Sequence, residues 1–204
     1  MLKLTSFLTA FSFLAVMPSV FAVTKELTFS PEQSKVEWVG SKIIGSEHNG
    51  TLSIKQATMK VENGMPKTAK IVVDMTSIKN LDLKDKKYND KLVNHLKSDD
   101  FFGTKKFKES TLIISKIQKV NDSKWRLDGK LTIKNKTKDV SFIANSTLNG
   151  KKLKAVKVDF EFDRTDFDIR YGSGKFFDNL GDKMISDKVQ VKVMLMLENP
   201  VELS

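Results

Sequence analysis

Lys188-Val189-Gln190-Val191-Lys192-Val193-Met194-Leu195-Met196-Leu197-Glu198 is the stretch on which the fold turns. Val189, Val191, Val193, Leu195 and Leu197 recur at every second position, with Lys188 before them and Gln190, Lys192, Met194 and Met196 between them. Successive side chains of an extended chain point to opposite sides, so this spacing predicts a β-strand with one aliphatic face. Upstream, Leu153 to Asp163 repeats the pattern: Val158, Phe160 and Phe162 share a face, and Asp159, Glu161 and Asp163 take the other.

Working further outward, Val36, Trp38 and Gly40 alternate with Lys35, Glu37 and Val39, and Leu52 and Ile54 with Thr51, Ser53 and Lys55. Ile71-Val72-Val73-Asp74-Met75 reads as a strand that is apolar on both faces. Thr111 to Lys119, Lys124 to Lys134 and Lys138 to Leu148 follow at intervals of about a dozen residues. Asn63-Gly64 and Asn149-Gly150 are hairpin turn signals. One segment departs from the rule. Between Leu81 and Ser98 the apolar residues Leu83, Tyr88, Leu92, Val93 and Leu96 are spaced by one to five, which is helical periodicity. The chain is therefore expected to be all-β with one inserted helix. Eight or more antiparallel strands form either a sandwich or a closed barrel, and the residues alone do not separate the two.

The first 22 residues read as a signal peptide. Lys3 precedes an apolar stretch from Leu4 to Val16, too short for the roughly 20 residues that span a bilayer, and Val20 and Ala22 fit cleavage after Ala22. Residues 23–204 then form one domain of ordinary size, exported to the periplasm. The chain has no cysteine, which excludes a lipoprotein anchor, thiolate metal sites and thiol catalysis. Its formal net charge of +10 falls to +9 without Lys3. The cations are dispersed, for example at Lys84, Lys86, Lys87, Lys91 and Lys97 along the helix, so no nucleic-acid partner is expected; they read as a solvated basic surface, with transient contact with a membrane surface as the alternative.

Catalytic and metal chemistry find little support. The two histidines, His48 and His95, lack any His-x-x-x-His or His-Glu spacing, so no metal site is expected. Neither Ser98 nor Ser173 sits in a Gly-x-Ser-x-Gly elbow, and Gly172-Ser173-Gly174-Lys175 lacks the spacing of a phosphate loop and reads as a sharp turn. Asp166 and Asp168 alternate with Phe167 and Ile169, which places the acids outward and gives Phe167, Ile169 and Tyr171 one strand face. No catalytic residue and no cofactor is assigned. What remains is a concentration of aromatics, including the adjacent pairs Phe101-Phe102 and Phe176-Phe177 in connecting segments. These either fill a core or line the mouth or floor of a cavity.

His95-Leu96-Lys97-Ser98-Asp99-Asp100-Phe101-Phe102 resembles the His-Leu-x-Ser-x-Asp-Phe-Phe helix end of the YceI-like family. Lys35-Val36-Glu37-Trp38-Val39-Gly40 is similar to that family's opening strand, and His48-Asn49-Gly50-Thr51-Leu52 to the turn after it. Gly129-Lys130-Leu131-Thr132-Ile133-Lys134-Asn135-Lys136-Thr137 is similar to its central hairpin, with Asn135 where the family has glycine. Phe162-Asp163-Arg164-Thr165 and the segment from Tyr171-Gly172-Ser173-Gly174 to Asp187 resemble a branch with a longer last connection. The resemblance implies an antiparallel lipocalin-like barrel enclosing an apolar cavity for an isoprenoid or other long-chain lipid. The expected lining is Trp38, Phe101, Phe102, Phe160, Phe162, Phe176, Phe177 and Met184, with Arg164, Arg170, Tyr171 or His48 toward a head group. Two alternatives are a hydrolase or isomerase acting on a lipid-like substrate in the same cavity, and a stress-induced structural protein with a filled core. Exposed strand edges and the basic helix leave room for a homodimer.

Overall fold

The structure, a computed structural model, describes residues 23–203. The expected signal peptide and its cleavage site at Ala22 lie outside the described residues. The strands are β1 (Thr24–Thr28), β2 (Lys35–Lys42), β3 (Glu47–Glu62), β4 (Met65–Asn80), β5 (Glu109–Lys119), β6 (Lys124–Ile133), β7 (Lys136–Asn149), β8 (Lys152–Asp163) and β9 (Ile185–Glu202), with one helix, α1 (Lys86–Lys97).

All pairings are antiparallel, and their order, β3-β2-β9-β8-β7-β6-β5-β4, closes when β4 pairs back onto β3. This is an eight-stranded barrel, which settles the choice between sandwich and barrel. β1 lies beyond β2 along the same edge of β3, pairing Thr24 with Glu62 through Thr28 with Thr58, so that edge is covered over much of its length.

The hairpins follow from turn chemistry. Asn63 (φ 48°) and Gly64 (φ 77°) join β3 to β4 in the left-handed geometry that two-residue hairpins require. Lys134 (φ 49°) and Asn135 (φ 58°) do the same between β6 and β7, so Asn135 adopts the conformation for which it stands in place of glycine.

Two local expectations need correction. Helix α1 begins at Lys86, because the Asp85 carboxylate caps it by accepting from the N–H groups of Lys87 and Tyr88; Tyr88, assigned to the apolar stripe, is exposed, while Leu92 and Leu96 face inward. Phe167, Ile169 and Tyr171 do not share a strand face. Asp163 accepts hydrogen bonds from the Thr165 N–H and hydroxyl and starts a 3₁₀ turn over Arg164–Phe167, and Asp168 at φ 60° then reverses the chain. Phe167 and Ile169 are buried all the same, while Asp166 and Asp168 are exposed.

The barrel interior is divided along its axis. At the end carrying the β3–β4 turn it is filled by Met59, Ile114, Trp125, Leu127, Val156 and Leu195, leaving a void of only about 20 Å³. At the other end the chain spends its length on α1, the loop before β5 and the long connection from Arg164 to β9, and here the interior is hollow.

Candidate lipid cavity

The hollow half is a cavity of about 330 Å³. Its floor is Ile71, Leu112 and Val193, whose side chains also bound the filled half. One wall is set by register: Phe160 pairs with Val191, which pairs with Trp38, and one step nearer the mouth Phe162 pairs with Val189, which pairs with Gly40. All six line the cavity. The alternate rows face water, where Asp159 stands beside Lys192 and Lys192 beside Glu37, while Lys188 pairs with Glu161 at 3.7 Å. Period two thus sorts these strands into an apolar inner face and an ionic outer face.

The opposite wall comes from Val73, Met75 and Ile78 of β4, Ser110 of β5, and Leu131 and Ile133 of β6. Leu92, His95 and Leu96 of α1 roof it, and Phe101 and Phe102 descend from the turn after the helix. That turn is held by the Phe102 N–H on the Leu96 carbonyl (3.1 Å) and the Gly103 N–H on the Ser98 carbonyl (2.8 Å). It aims Phe101 at His95 and Tyr171, with ring centroids 4.9 and 5.4 Å away.

Two glycines show where the space lies. Gly50 is walled in, since a Cβ there would sit 1.8 Å from the Lys79 carbonyl oxygen and 2.6 Å from Trp38 Cζ2; the missing side chain lets the indole lie over the strand. A Cβ on Gly40, which lines the cavity, meets nothing within 4 Å.

The lining surface is largely apolar, and of its polar groups Arg164, His48 through Nδ1 and His95 through Nε2 are committed, whereas Trp38 Nε1 and Ser110 Oγ are buried without a hydrogen-bond partner among the described residues. Arg164 is 2% exposed. Its Nε donates to the Ser186 carbonyl (2.9 Å), Nη1 to those of Ile169 (2.9 Å) and Tyr171 (2.8 Å), and Nη2 to that of Ile185 (3.1 Å), with Asp187 3.4 Å away. Burial pulls its pKa down, but a guanidinium stays charged, and it fastens the Arg164–Tyr171 turn to the start of β9. The expectation that it meets a head group is therefore corrected, because its donors are spent on backbone carbonyls.

Asp163 and Asp187 share Lys175, at 2.7 and 3.4 Å. Burial pushes the Asp163 carboxyl up, but the hydrogen bonds from Lys175 and Thr165 outweigh it and hold the pKa at about 2. His48 Nδ1 lies 2.8 Å from Asp82 Oδ2 near the mouth. Burial opposes ionisation of Asp82, yet the hydrogen bonds from His48, the Asn49 N–H and Asn80 hold its pKa below the usual carboxylate value.

Of the residues named from the sequence, Trp38, Phe101, Phe102, Phe160, Phe162, Arg164, Tyr171 and His48 come together around the cavity. Arg170, Phe176, Phe177 and Met184 do not. Arg170 pairs with Asp168 (2.7 Å) and covers the Phe176 ring (4.8 Å), and Phe176 and Phe177 are about half exposed on the outside of the loop. Met184 packs over Gly174 instead. The cause is the turn at Gly172–Gly174, in which the Phe176 and Phe177 N–H groups bond back to the Ser173 carbonyl and turn both rings outward.

The aliphatic half of the lining was missed. Val189 and Val191 carried a signal in their alternation with Lys188, Gln190 and Lys192, but nothing in a strand pattern distinguishes a cavity wall from a packed core.

A family model for the YceI-like domain matches residues 27–197. Among solved structures, the chain is similar to Burkholderia cenocepacia BcnA, with 24% identity and a TM-score of 0.60 over 82% of this chain and 98% of that one. It is also similar to a polyisoprenoid binding domain from Saccharophagus degradans implicated in plant cell wall breakdown, with 15% identity and a TM-score of 0.59 over 85% and 98%. A Campylobacter jejuni YCEI protein aligns at 18% identity and a TM-score of 0.52 over 93% and 92%. At these identities the likeness is one of fold. No curated protein matches the chain.

Proposed function

The chain belongs to the YceI-like domain family, and from that premise we propose that it binds one long-chain amphiphilic lipid, of the polyisoprenoid class, in the barrel cavity and carries it through water. The observation that supports this reading is the hollow, aliphatic and aromatic half of a barrel whose other half is filled. Its volume falls within the range of small-ligand pockets. The name of the S. degradans domain points to the same ligand class. Each methylene moved out of water contributes about 0.8 kcal/mol, so ten of them supply about 8 kcal/mol, which before ordering costs corresponds to micromolar binding.

The head group rests at the mouth. His48 lies there on the lining, and the Tyr171 hydroxyl has no hydrogen-bond partner among the described residues. Carriage without catalysis is supported by the commitment of two lining groups suited to acid–base or electrostatic work, with Arg164 on four carbonyls and His95 beside Asp100 (3.1 Å) and against two rings. Residues 1–22 act as a cleaved export signal and residues 23–204 as the barrel domain in the periplasm. Titration of solvent-extracted protein with a fluorescent polyprenol tests the binding. Saturation at one lipid per chain, competed by unlabelled polyprenol, is expected; absence of saturable uptake by a folded barrel would overturn the reading.

A further inference from the structure

His48 is held at the cavity mouth by a chain of polar groups that runs back into the protein. It pairs with Gly40 across β2 and β3, and both residues line the cavity. His48 Nδ1 lies 2.8 Å from Oδ2 of Asp82, a residue outside the lining, so the ring edge left to the cavity carries Nε2. Asp82 Oδ1 accepts from the Asn49 N–H (2.9 Å) and from Asn80 Nδ2. Asn80, only 6% exposed, is fixed in turn: its Oδ1 accepts from the Leu83 N–H (3.0 Å) and Asn89 Nδ2 (3.2 Å), and its Nδ2 also donates to the Asn49 carbonyl (3.0 Å). In the side chains of Asn80, Asp82 and His48 every polar atom is thus engaged except His48 Nε2, which has no hydrogen-bond partner among the described residues.

This arrangement fixes where the imidazole proton sits. Burial opposes ionisation of Asp82, but its hydrogen bonds keep the carboxyl charged. An ionised carboxylate only accepts, so the proton facing it is on Nδ1, and the neutral ring offers a bare Nε2. A bare nitrogen takes a hydrogen-bond donor and is repelled by the oxygens of a phosphate, the more so with the Asp82 charge behind the ring. The donor that a polyisoprenoid chain can bring to this position is a terminal hydroxyl. Lys42 lines the same mouth, which makes a phosphate the competing end group.

We propose that His48 Nε2 accepts a hydrogen bond from the free hydroxyl of the lipid, so that the site selects an unphosphorylated prenyl alcohol. Asp82 and Asn80 are the positioning residues that hold the imidazole in its accepting tautomer. The assignment rests on the carrier reading and deepens it by fixing the end group.

Competition against bound fluorescent polyprenol at pH 8, above the ordinary range of histidine titration, tests it with farnesol, farnesyl methyl ether, which lacks the donor, and farnesyl phosphate. The wild-type protein is expected to prefer farnesol to the ether about fivefold, the worth of one net hydrogen bond, and to bind the phosphate more weakly than farnesol. In Asp82→Asn, the Asn49 N–H and Asn80 Nδ2 keep an oxygen at the Oδ1 position, so the new NH2 group faces Nδ1 and the imidazole proton moves to Nε2. The preference for farnesol should then vanish while the ether is still taken up, and the imidazole 15N shifts should report Nδ1–H in the wild type and Nε2–H in the variant. His48→Phe should lose the preference as well. Equal binding of farnesol and its ether by the wild type, or tighter binding of the phosphate, would overturn the proposal. So would a preference that survives both substitutions, which would place the hydroxyl on another group such as Ser110 Oγ. Absence of polyprenol uptake by the folded wild-type protein is a separate result: it removes the cavity reading itself, and this assignment with it.

Discussion

A substitution that fills the cavity separates a ligand chamber from a protein core, and Gly40→Phe is the place to make it. The Cβ position at Gly40 is open for at least 4 Å, the residue lines the cavity, and its φ is not positive, so the strand accepts an L side chain there. In a packed interior an added ring of this kind costs typically 1–3 kcal/mol in strain. Here it costs nothing, and removal of a strand glycine adds about 0.5–1 kcal/mol of stability. The seven carbons of the benzyl group take the room of about as many ligand carbons, which at about 0.8 kcal/mol each amounts to roughly 5 kcal/mol of lost lipid burial. If the lipid retreats toward the mouth and loses only a third of that, the loss is still about 2 kcal/mol, roughly thirtyfold in Kd. Denaturant unfolding and polyprenol titration on the same variant provide the assay. A fall in stability of 1–3 kcal/mol, or unchanged affinity in a protein of unchanged stability, would refute the reasoning.

Gly50→Ala behaves in the opposite way: its methyl group meets the Lys79 carbonyl oxygen and the Trp38 indole, so unfolding in denaturant should show a loss of about 2–4 kcal/mol. Phe162→Asp places an unpaired carboxylate on the apolar wall and is expected to abolish lipid retention and lower the urea midpoint, whereas wild-type binding and stability would put this side chain outside the cavity. Asp163 carries a pH signature. Its pKa of about 2 lies below the ordinary 3.8, so its contribution is fully present above about pH 4 and is lost as pH falls toward 2. The difference corresponds to about 2 kcal/mol at most, reduced by solvent around the half-exposed Lys175. Asp163→Asn should lower the melting temperature at pH 7 and flatten its decline between pH 4 and 2; an unchanged acid limb would show that the carboxylate is not held as described.

The strands were legible because their cause is local. Alternation along Lys188 to Glu198 and Leu153 to Asp163, and turn chemistry at Asn63-Gly64 and Asn135, act within a few residues, and the structure follows them. Phe167, Ile169 and Tyr171 misled because the same alternation was cut by the Asp163 cap and the left-handed Asp168, both side-chain and backbone effects that outweigh periodicity. Barrel closure was not legible from the residues alone, since the β3–β4 pairing joins both ends of the strand order through contacts that no periodicity encodes. The same holds for the cavity. Met59 and Val73 look alike in sequence, each an aliphatic residue on an inner face, yet one fills the barrel and the other bounds empty space. That difference arises from what the opposite strand supplies, such as Trp125 and Leu127 in the filled half. Arg164 presents the complementary case: a cation in a lipid-site motif suggests a head-group contact, and only the positions of four carbonyls show that it holds the loop.

The central claim, that one long-chain lipid occupies the barrel, is tested most directly by native mass spectrometry of the protein purified without detergent. The account predicts a chain mass increased by a single lipid, released by organic solvent, regained on addition of polyprenol, and missing from Gly40→Phe. Bare chain mass after gentle handling, together with no uptake of added polyprenol by the folded protein, would contradict it.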